Sequence, residues 1–298
     1  MTPLAPPVTP VAPPAMLGAA SPLTWDLVSG PERSGTVLAR FPTAVYLQVG
    51  RHHEVLPVVA SDALMLPTAV RLPVPSADLL WRLEPSDRVS IGHLTLHLRC
   101  WSVHLVRQWR PGRVTPVEDR ARNDRLAHAA CWMAAAGVDG GLADRAGDLL
   151  AAALAGDATA TRAHVGRLVG AGSGLTPSGD DALCAVLLVL HALGSDVALR
   201  TASPQVAAAW TATTSLSASL LEAATHGYAV PQVAALVRAG VAGDEPAAAS
   251  ALEAVLAIGH SSGRDLVAGL VGCLRTLARM SRAVPPPSAS QPAERDNP

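Results

Sequence analysis

Lysine is missing from the 298 residues, and all 23 basic positions are arginine. That excludes lysine Schiff bases, lysine general bases and a Walker-type phosphate loop, each of which needs an ammonium group. An anionic ligand would have to be held by arginine, by backbone N–H groups or by a metal ion. Aromatic residues are scarce at 3%, with one phenylalanine and two tyrosines, and charged residues reach only 16%. The formal net charge is -1 and the pI is near 6.8. No basic footprint for nucleic acid or an anionic membrane surface is therefore present. The four cysteines, Cys100, Cys131, Cys184 and Cys273, have no C-x-x-C spacing. A disulfide framework or patterned zinc site is excluded on that ground, and reduced thiols are expected. Long apolar runs are missing too. The longest, Ala182 to Leu193, is interrupted by His191 and falls short of the roughly 20 residues of a bilayer span. No basic stretch opens the chain, so a secretory signal is not expected and the chain reads as cytoplasmic.

What is abundant is alanine, about a fifth of the chain, and it accounts for the mean hydropathy of +0.28. Such a composition suits close-packed helices. The spacing of apolar residues divides the chain into four parts. Residues 1–22 are a proline-rich arm, expected to be disordered, and 283–298 form a tail of the same character. Between about 23 and 112, runs such as Thr36 to Val49 and Val89 to Trp109 are rich in β-branched residues and broken by Pro, Gly and Ser-Asp turns. Prolines within these runs argue for short antiparallel strands rather than a parallel sheet. From 113 to 282 the period becomes helical. Thr115-Pro116-Val117-Glu118 reads as a capping box opening a helix to about Ala136, Ser203-Pro204 as the start of one ending near Gly227, and Ala182–Leu193 as a buried core helix. The expected class is α+β, an antiparallel β-domain followed by an alanine-rich all-helical domain.

The densest chemical signal is the segment from Gly170 to Asp181, GAGSGLTPSGDD, which runs straight into the apolar helix. Gly172 and Gly174 permit positive φ and close backbone approach, and a helix N-terminus offers unpaired N–H groups to an anion. Ser173, Thr176 and Ser178 add hydroxyl donors, and Gly179 keeps the first turn bare. Ordinary capping explains Thr176, Pro177 and one aspartate. It does not explain the three glycines between 170 and 174 and the two consecutive aspartates.

A second loop, Gly259-His260-Ser261-Ser262-Gly263-Arg264-Asp265, repeats S-G-x-D before an apolar helix. The two loops are expected to meet as an anion clamp, with Ser262 and Gly263 binding, Arg264 as the charged arm and His260 as proton donor or orienter. The competing account is one capping pattern used twice. Within this alignment Asp181 and Asp265 take the helix-supporting place. Asp180 is left as the ligand-facing carboxylate, a place where Mg2+ or Mn2+ with oxygen ligands would offset the repulsion of an anion. Thr214 and Ser217, three apart on one helix face, are a third element, and back-bonding to helix carbonyls is the plainer account of their hydroxyls. Glu222, His226 and Tyr228 follow without a link to the loops. His93 and His97 share a strand face, where a metal is conceivable.

GAGSGLTPSGDDALCAVLL (170–188), TTSLSASLLEAATHG (213–227) and IGHSSGRDLVAGL (258–270) resemble, in this order, the bacterial family typified by the AllH-like subunit of oxamate carbamoyltransferase. The resemblance implies a role in allantoin breakdown, in a complex with two other protein subunits, where oxalurate and phosphate give oxamate and carbamoyl phosphate. A non-catalytic scaffold or regulatory subunit, or a stand-alone binder of small anions, would keep the same loops.

Overall fold

The computed structural model describes residues 15–99 and 101–282. The first 14 residues, Cys100 and the expected tail at 283–298 lie outside them. The N-terminal part contains β1 (Ala15–Ala20), the short α1 (Trp25–Ser29), β2 (Arg33–Arg40), β3 (Ala44–Gln48), β4 (Val55–Val59), β5 (Val70–Arg71), β6 (Arg88–Gly92), β7 (Thr95–His97) and β8 (Ser102–Gln108). These eight strands close into a barrel in the order β1-β5-β4-β3-β2-β6-β7-β8.

Two expectations are corrected here. Residues 15–22 are not a disordered arm. β1 pairs with β8 over Ala15 to Ala20 and with β5 at Ala19 and Ala20, closing the barrel, and Ser21 caps the 3-10 turn that follows. A proline-rich composition says how costly ordering is, but a sheet with two open edges supplies enough backbone partners to order a neighbouring segment. The sheet is also not purely antiparallel, because β1–β8 and β4–β5 are parallel pairs. Pro57 is tolerated inside β4 because the ladder to β5 begins only at Val58, leaving no bond for its missing N–H to break.

Side-chain alternation sorts the barrel. Val45, Leu47, Leu56, Val58, Val89, Ile91, Val103 and Leu105 fill its interior. The opposite faces of β3 and β4, with Ala44, Tyr46 and Val59, pack against the helices together with Leu66 and Ala69. This explains why all of β4 is buried, since it has a core on either side. His93 sits in the β6–β7 turn with φ of 50°, off the strand that carries His97, so the two do not share a strand face.

The remaining elements are β9 (Gly112–Arg113), α2 (Asn123–Ala134), α3 (Gly140–Leu154), α4 (Ala158–Leu168), α5 (Ser178–Ala192), α6 (Asp196–Ala208), α7 (Ser215–Thr225), β10 (Tyr228–Ala229), α8 (Pro231–Ala242), α9 (Glu245–Leu256) and α10 (Ser262–Arg282). β9 and β10 pair with each other, so the second part is helical but not all-helical.

Thr115–Glu118 opens no helix. The N–H groups of Val114, Val117 and Ala121 instead donate to the carbonyls of Gly227, Ala192 and Val241. The segment thereby satisfies the last carbonyls of α5 and α8 and the turn after α7, a tertiary demand that outweighs the local capping pattern. Ser203-Pro204 likewise lies inside α6 rather than at a helix start, and the following helix begins at Ser215 behind the Thr214 cap.

α5 is buried along nearly its whole length and forms the centre. α10 crosses it closely because Gly269 has no side chain. A Cβ there would lie 2.6 Å from the Ala182 carbonyl oxygen, and one on Gly272 would lie 1.9 Å from that of Ala143 on α3. Such contacts set α10 against both helices.

Candidate functional site

The glycine loop before α5 is held by three neighbours. Gly170, Gly172 and Gly174 have φ of 72°, 122° and 94°, conformations that side chains with a Cβ adopt at a cost. A Cβ on Gly170 would meet the Ala212 carbonyl at 2.3 Å, so the loop lies directly on the chain leading into α7. Asp180 secures this contact. One of its carboxylate oxygens accepts the Gly170 N–H at 2.9 Å and the other accepts the Thr213 hydroxyl. The next residue, Thr214, caps α7 by accepting the Ser217 N–H at 3.1 Å, and its hydroxyl donates to the Leu175 carbonyl at 2.5 Å. The Ser217 hydroxyl approaches the same carbonyl at 3.5 Å. The plainer account of these hydroxyls is thus replaced: they bond to the glycine loop rather than back along their own helix.

The two S-G-x-D loops meet, and the Thr176 and Ser262 hydroxyls are 2.7 Å apart. At both helix starts the glycine of the S-G-x-D pattern is closed in by packing. Gly179 and Gly263 donate their N–H groups to the carbonyls of Ala171 and Ile258 at 2.8 and 3.1 Å. A Cβ on either would lie 1.9 or 2.0 Å from the Leu168 or Val255 carbonyl oxygen. These glycines let each helix start against the end of the preceding one, a packing role rather than a binding one. Arg264 is exposed and lies outside the cleft lining, as do Gly172 and Ser178.

The loops border a cleft of about 530 Å³. Ser173, Gly174, Thr176, Asp181, His260 and Ser262 line it, with Cys184 on α5, apolar side chains of α5, α7, α8 and α10, and Leu64, Leu66 and Pro67 before β5. Sequence reasoning missed Phe41 and Tyr46 and left Tyr228 without a link to the loops, yet all three also line it. Phe41 and Tyr46 stack with ring centroids 5.0 Å apart. The chain has one phenylalanine and two tyrosines, so all three stand here, and their rarity was the signal available. Glu222 and His226 instead border a second cavity of about 330 Å³ between barrel and helices, beside His53, Arg33 and Arg51.

The geometry reverses the places expected of the two aspartates. Asp180, 1% exposed, is the staple. Burial raises its pKa, opposed by the hydrogen bonds from Thr213, Gly170 and Ser217. Asp181, 6% exposed, faces the cleft, and its Oδ2 has no partner. Burial pushes its pKa up to about 8, the charges of Asp265 and Asp180 add to the rise, and the Ser262 and Thr176 hydroxyls oppose it. Asp265 is buried, and its Oδ2 is likewise without a partner. Burial and the two neighbouring carboxylates raise the Cys184 thiol, which keeps it protonated rather than nucleophilic.

Asp180 is buried and outside the cleft lining, so it offers no cleft-facing ligand to a divalent ion. Among the described residues no group of three His, Cys, Asp or Glu side chains could hold a metal ion. No helix among them is long and apolar enough to cross a membrane. No curated protein and no solved structure matches the chain. Residues 168–274, which include all three converging segments, match the sequence model of the family described as oxamate carbamoyltransferase subunit AllH, and over that part the chain is similar to this family.

Proposed function

We propose that the chain is the cleft-bearing subunit of a cytoplasmic carbamoyltransferase complex, acting with two other protein subunits on oxalurate and phosphate to give oxamate and carbamoyl phosphate. In that reaction the bond between the carbamoyl carbon and the amide nitrogen breaks. A phosphate oxygen forms the new bond to that carbon, and the nitrogen leaves as the oxamate amide, taking the proton of hydrogenphosphate. One observation carries the reading: the three segments within the family match, from α5, α7 and α10 with their preceding loops, are tied together around one cleft.

Within this reading the cleft holds the uncharged part of the substrate. Its described lining contains no arginine, and in this reading cations that meet the phosphate come from a partner subunit. His260, exposed at the rim, is placed to move a proton between the cleft and a partner's phosphate site.

Co-expression with the two partner subunits tests this. A stable complex is expected to form carbamoyl phosphate from oxalurate and phosphate, and His260→Ala is expected to lower kcat by about 10²-fold. Failure to assemble, or an assembled complex without turnover, would overturn the reading.

A further inference from the structure

The barrel closes over a short seam. β1 follows β8 from Ala15 to Ala20 but meets β5 only at Ala19 and Ala20. The same register continues to Ser21, whose N–H donates to the Ala69 carbonyl at 3.1 Å. Extended the other way, it would set Leu17 opposite Pro73 in the next hydrogen-bonded pair. Proline has no N–H to give. The Leu72 N–H and the Val74 carbonyl are already taken by Val59 and Ser61 on the β4 side. The ladder therefore stops at Arg71, and Ala15–Gly18 keep a strand neighbour on the β8 side alone.

Beside this open edge lies a groove of about 640 Å³ on the outside of the barrel, which shares no lining residue with the cleft. Leu17 and Val106, each 59% exposed, give it an apolar strip. Arg71 and Arg107 give it two cations. Arg71 is held in place, lying over the Trp109 ring at 5.4 Å and donating to the Ser61 carbonyl at 3.4 Å. Among the described residues neither arginine forms an ion pair, and the lining contains no acid. Asp62, next to the lining residue Ser61, is occupied by the N–H and hydroxyl of Ser76 at 2.8 and 2.6 Å.

Unpaired backbone, exposed aliphatic side chains and unneutralised cations in one groove have a definite complement. It is an extended segment that supplies the missing N–H groups and carries carboxylates at alternate positions, which share one face of a strand. Residues 1–14 do not fit, having six prolines and no acidic residue. A second copy does not fit either, because two-fold pairing of β1 edges would set arginines against arginines.

We propose that the open edge of β1 docks an acidic, extended segment of another protein. The segment adds as a strand along Ala15–Gly18, its carboxylates on Arg71 and Arg107 and its apolar side chains against Leu17 and Val106. This site is separate from the cleft and does not depend on the reading above.

The test is fluorescence anisotropy of labelled, capped peptides with the full chain: an alternating Glu-Val peptide, its Lys-Val counterpart, and a Glu-Val peptide N-methylated at every residue. The Glu-Val peptide is expected to bind. The Lys-Val peptide should bind about tenfold more weakly or worse, and so should the N-methylated one, which has no N–H for the strand edge. Arg107→Glu, at an exposed position, should weaken the Glu-Val peptide by about tenfold and strengthen the Lys-Val peptide, a reversal that misfolding cannot produce. The proposal is overturned by equal binding of the two charge types, by undiminished binding of the N-methylated peptide, by an unchanged preference in Arg107→Glu, or by no binding of the Glu-Val peptide. Two occupants from this chain would also overturn it. Concentration-dependent dimerisation abolished by Leu17→Ser would make a second copy the occupant. Peptide binding gained only when Glu294→Arg and Asp296→Arg are combined would make it the segment 283–298.

Discussion

Adjacent residues of an α-helix point about 100° apart, and at positions 180 and 181 that angle separates a staple from a cleft wall. Asp180 ties Gly170 and Thr213 to α5. Removing it orphans a backbone donor and a hydroxyl, so Asp180→Ala should cost roughly 1.5–3 kcal/mol and abolish hydrogen-exchange protection of the Gly170 amide. Asp181→Asn should act in the opposite direction, with a sign set by linkage. The folded-state pKa of Asp181 is raised from 3.8 to about 8. The native state therefore holds a proton that the unfolded chain releases, and this contribution to stability is full below the lower value and lost as pH climbs to the upper one. Asparagine carries no such dependence. Urea titrations at about pH 5 and pH 9 are expected to show the variant gaining on the wild type by on the order of 4 kcal/mol at the higher pH, about 1.4 kcal/mol for each pH unit up to the folded value. A constant difference across that range would place the Asp181 carboxyl in a solvated setting instead.

The repeated unit is a helix end, a glycine turn and a new helix that starts against the preceding one. It occurs as α4 to α5 and as α9 to α10, and Gly179 and Gly263 occupy the same place in each, against the carbonyls of Leu168 and Val255. Gly179→Ala and Gly263→Ala are therefore each expected to cost roughly 3 kcal/mol through overpacking, visible as a fall in the denaturation midpoint. Gly174 makes the contrast, since a Cβ there meets nothing within 4 Å. Its φ of 94° leaves only backbone strain, so Gly174→Ala should cost about 1–2 kcal/mol. Thr214 serves two elements at once, capping α7 and holding the Leu175 carbonyl. Its place was legible in the sequence as a hydroxyl, but its direction was not, because a cap and a back-bond need the same residue type.

Barrel and helices share more than a linker. His53 of the β3–β4 connection stacks on Trp210 with ring centroids 4.3 Å apart, and His52 donates from Nε2 to the Thr213 carbonyl at 2.9 Å. The hairpin thus rests on the residue whose hydroxyl is bonded to Asp180. Beneath it, Val59, Leu66 and Ala69 join the core around α5. Calorimetry is expected to record one unfolding transition, with near- and far-UV dichroism changing together. Leu66→Ala should lower stability by about 2–5 kcal/mol and also loosen the cleft it lines. Separate transitions for barrel and helices in the wild type would show that the shared core is too weak to couple them.

Composition and periodicity determined the class of this protein: missing lysine, the switch from strand to helix near Arg110, the apolar run of α5, and the three segments now seen around one cleft. Those are local properties, carried by residue type and spacing. The tertiary structure decided what pairing and burial decide. Ala15–Ala20 became a strand because β8 and β5 offered it edges, and Thr115–Glu118 stayed non-helical because nearby carbonyls needed donors. Arg264 and Asp265 are two of the closest neighbours a sequence can have, yet one is exposed and the other buried. Which of two adjacent carboxylates is bonded and which is left open depends on the groups brought opposite it. For Asp180 and Asp181 those groups come from Gly170 and Thr213 on one side and from Ser262 and Asp265 on the other, positions that only folding brings together.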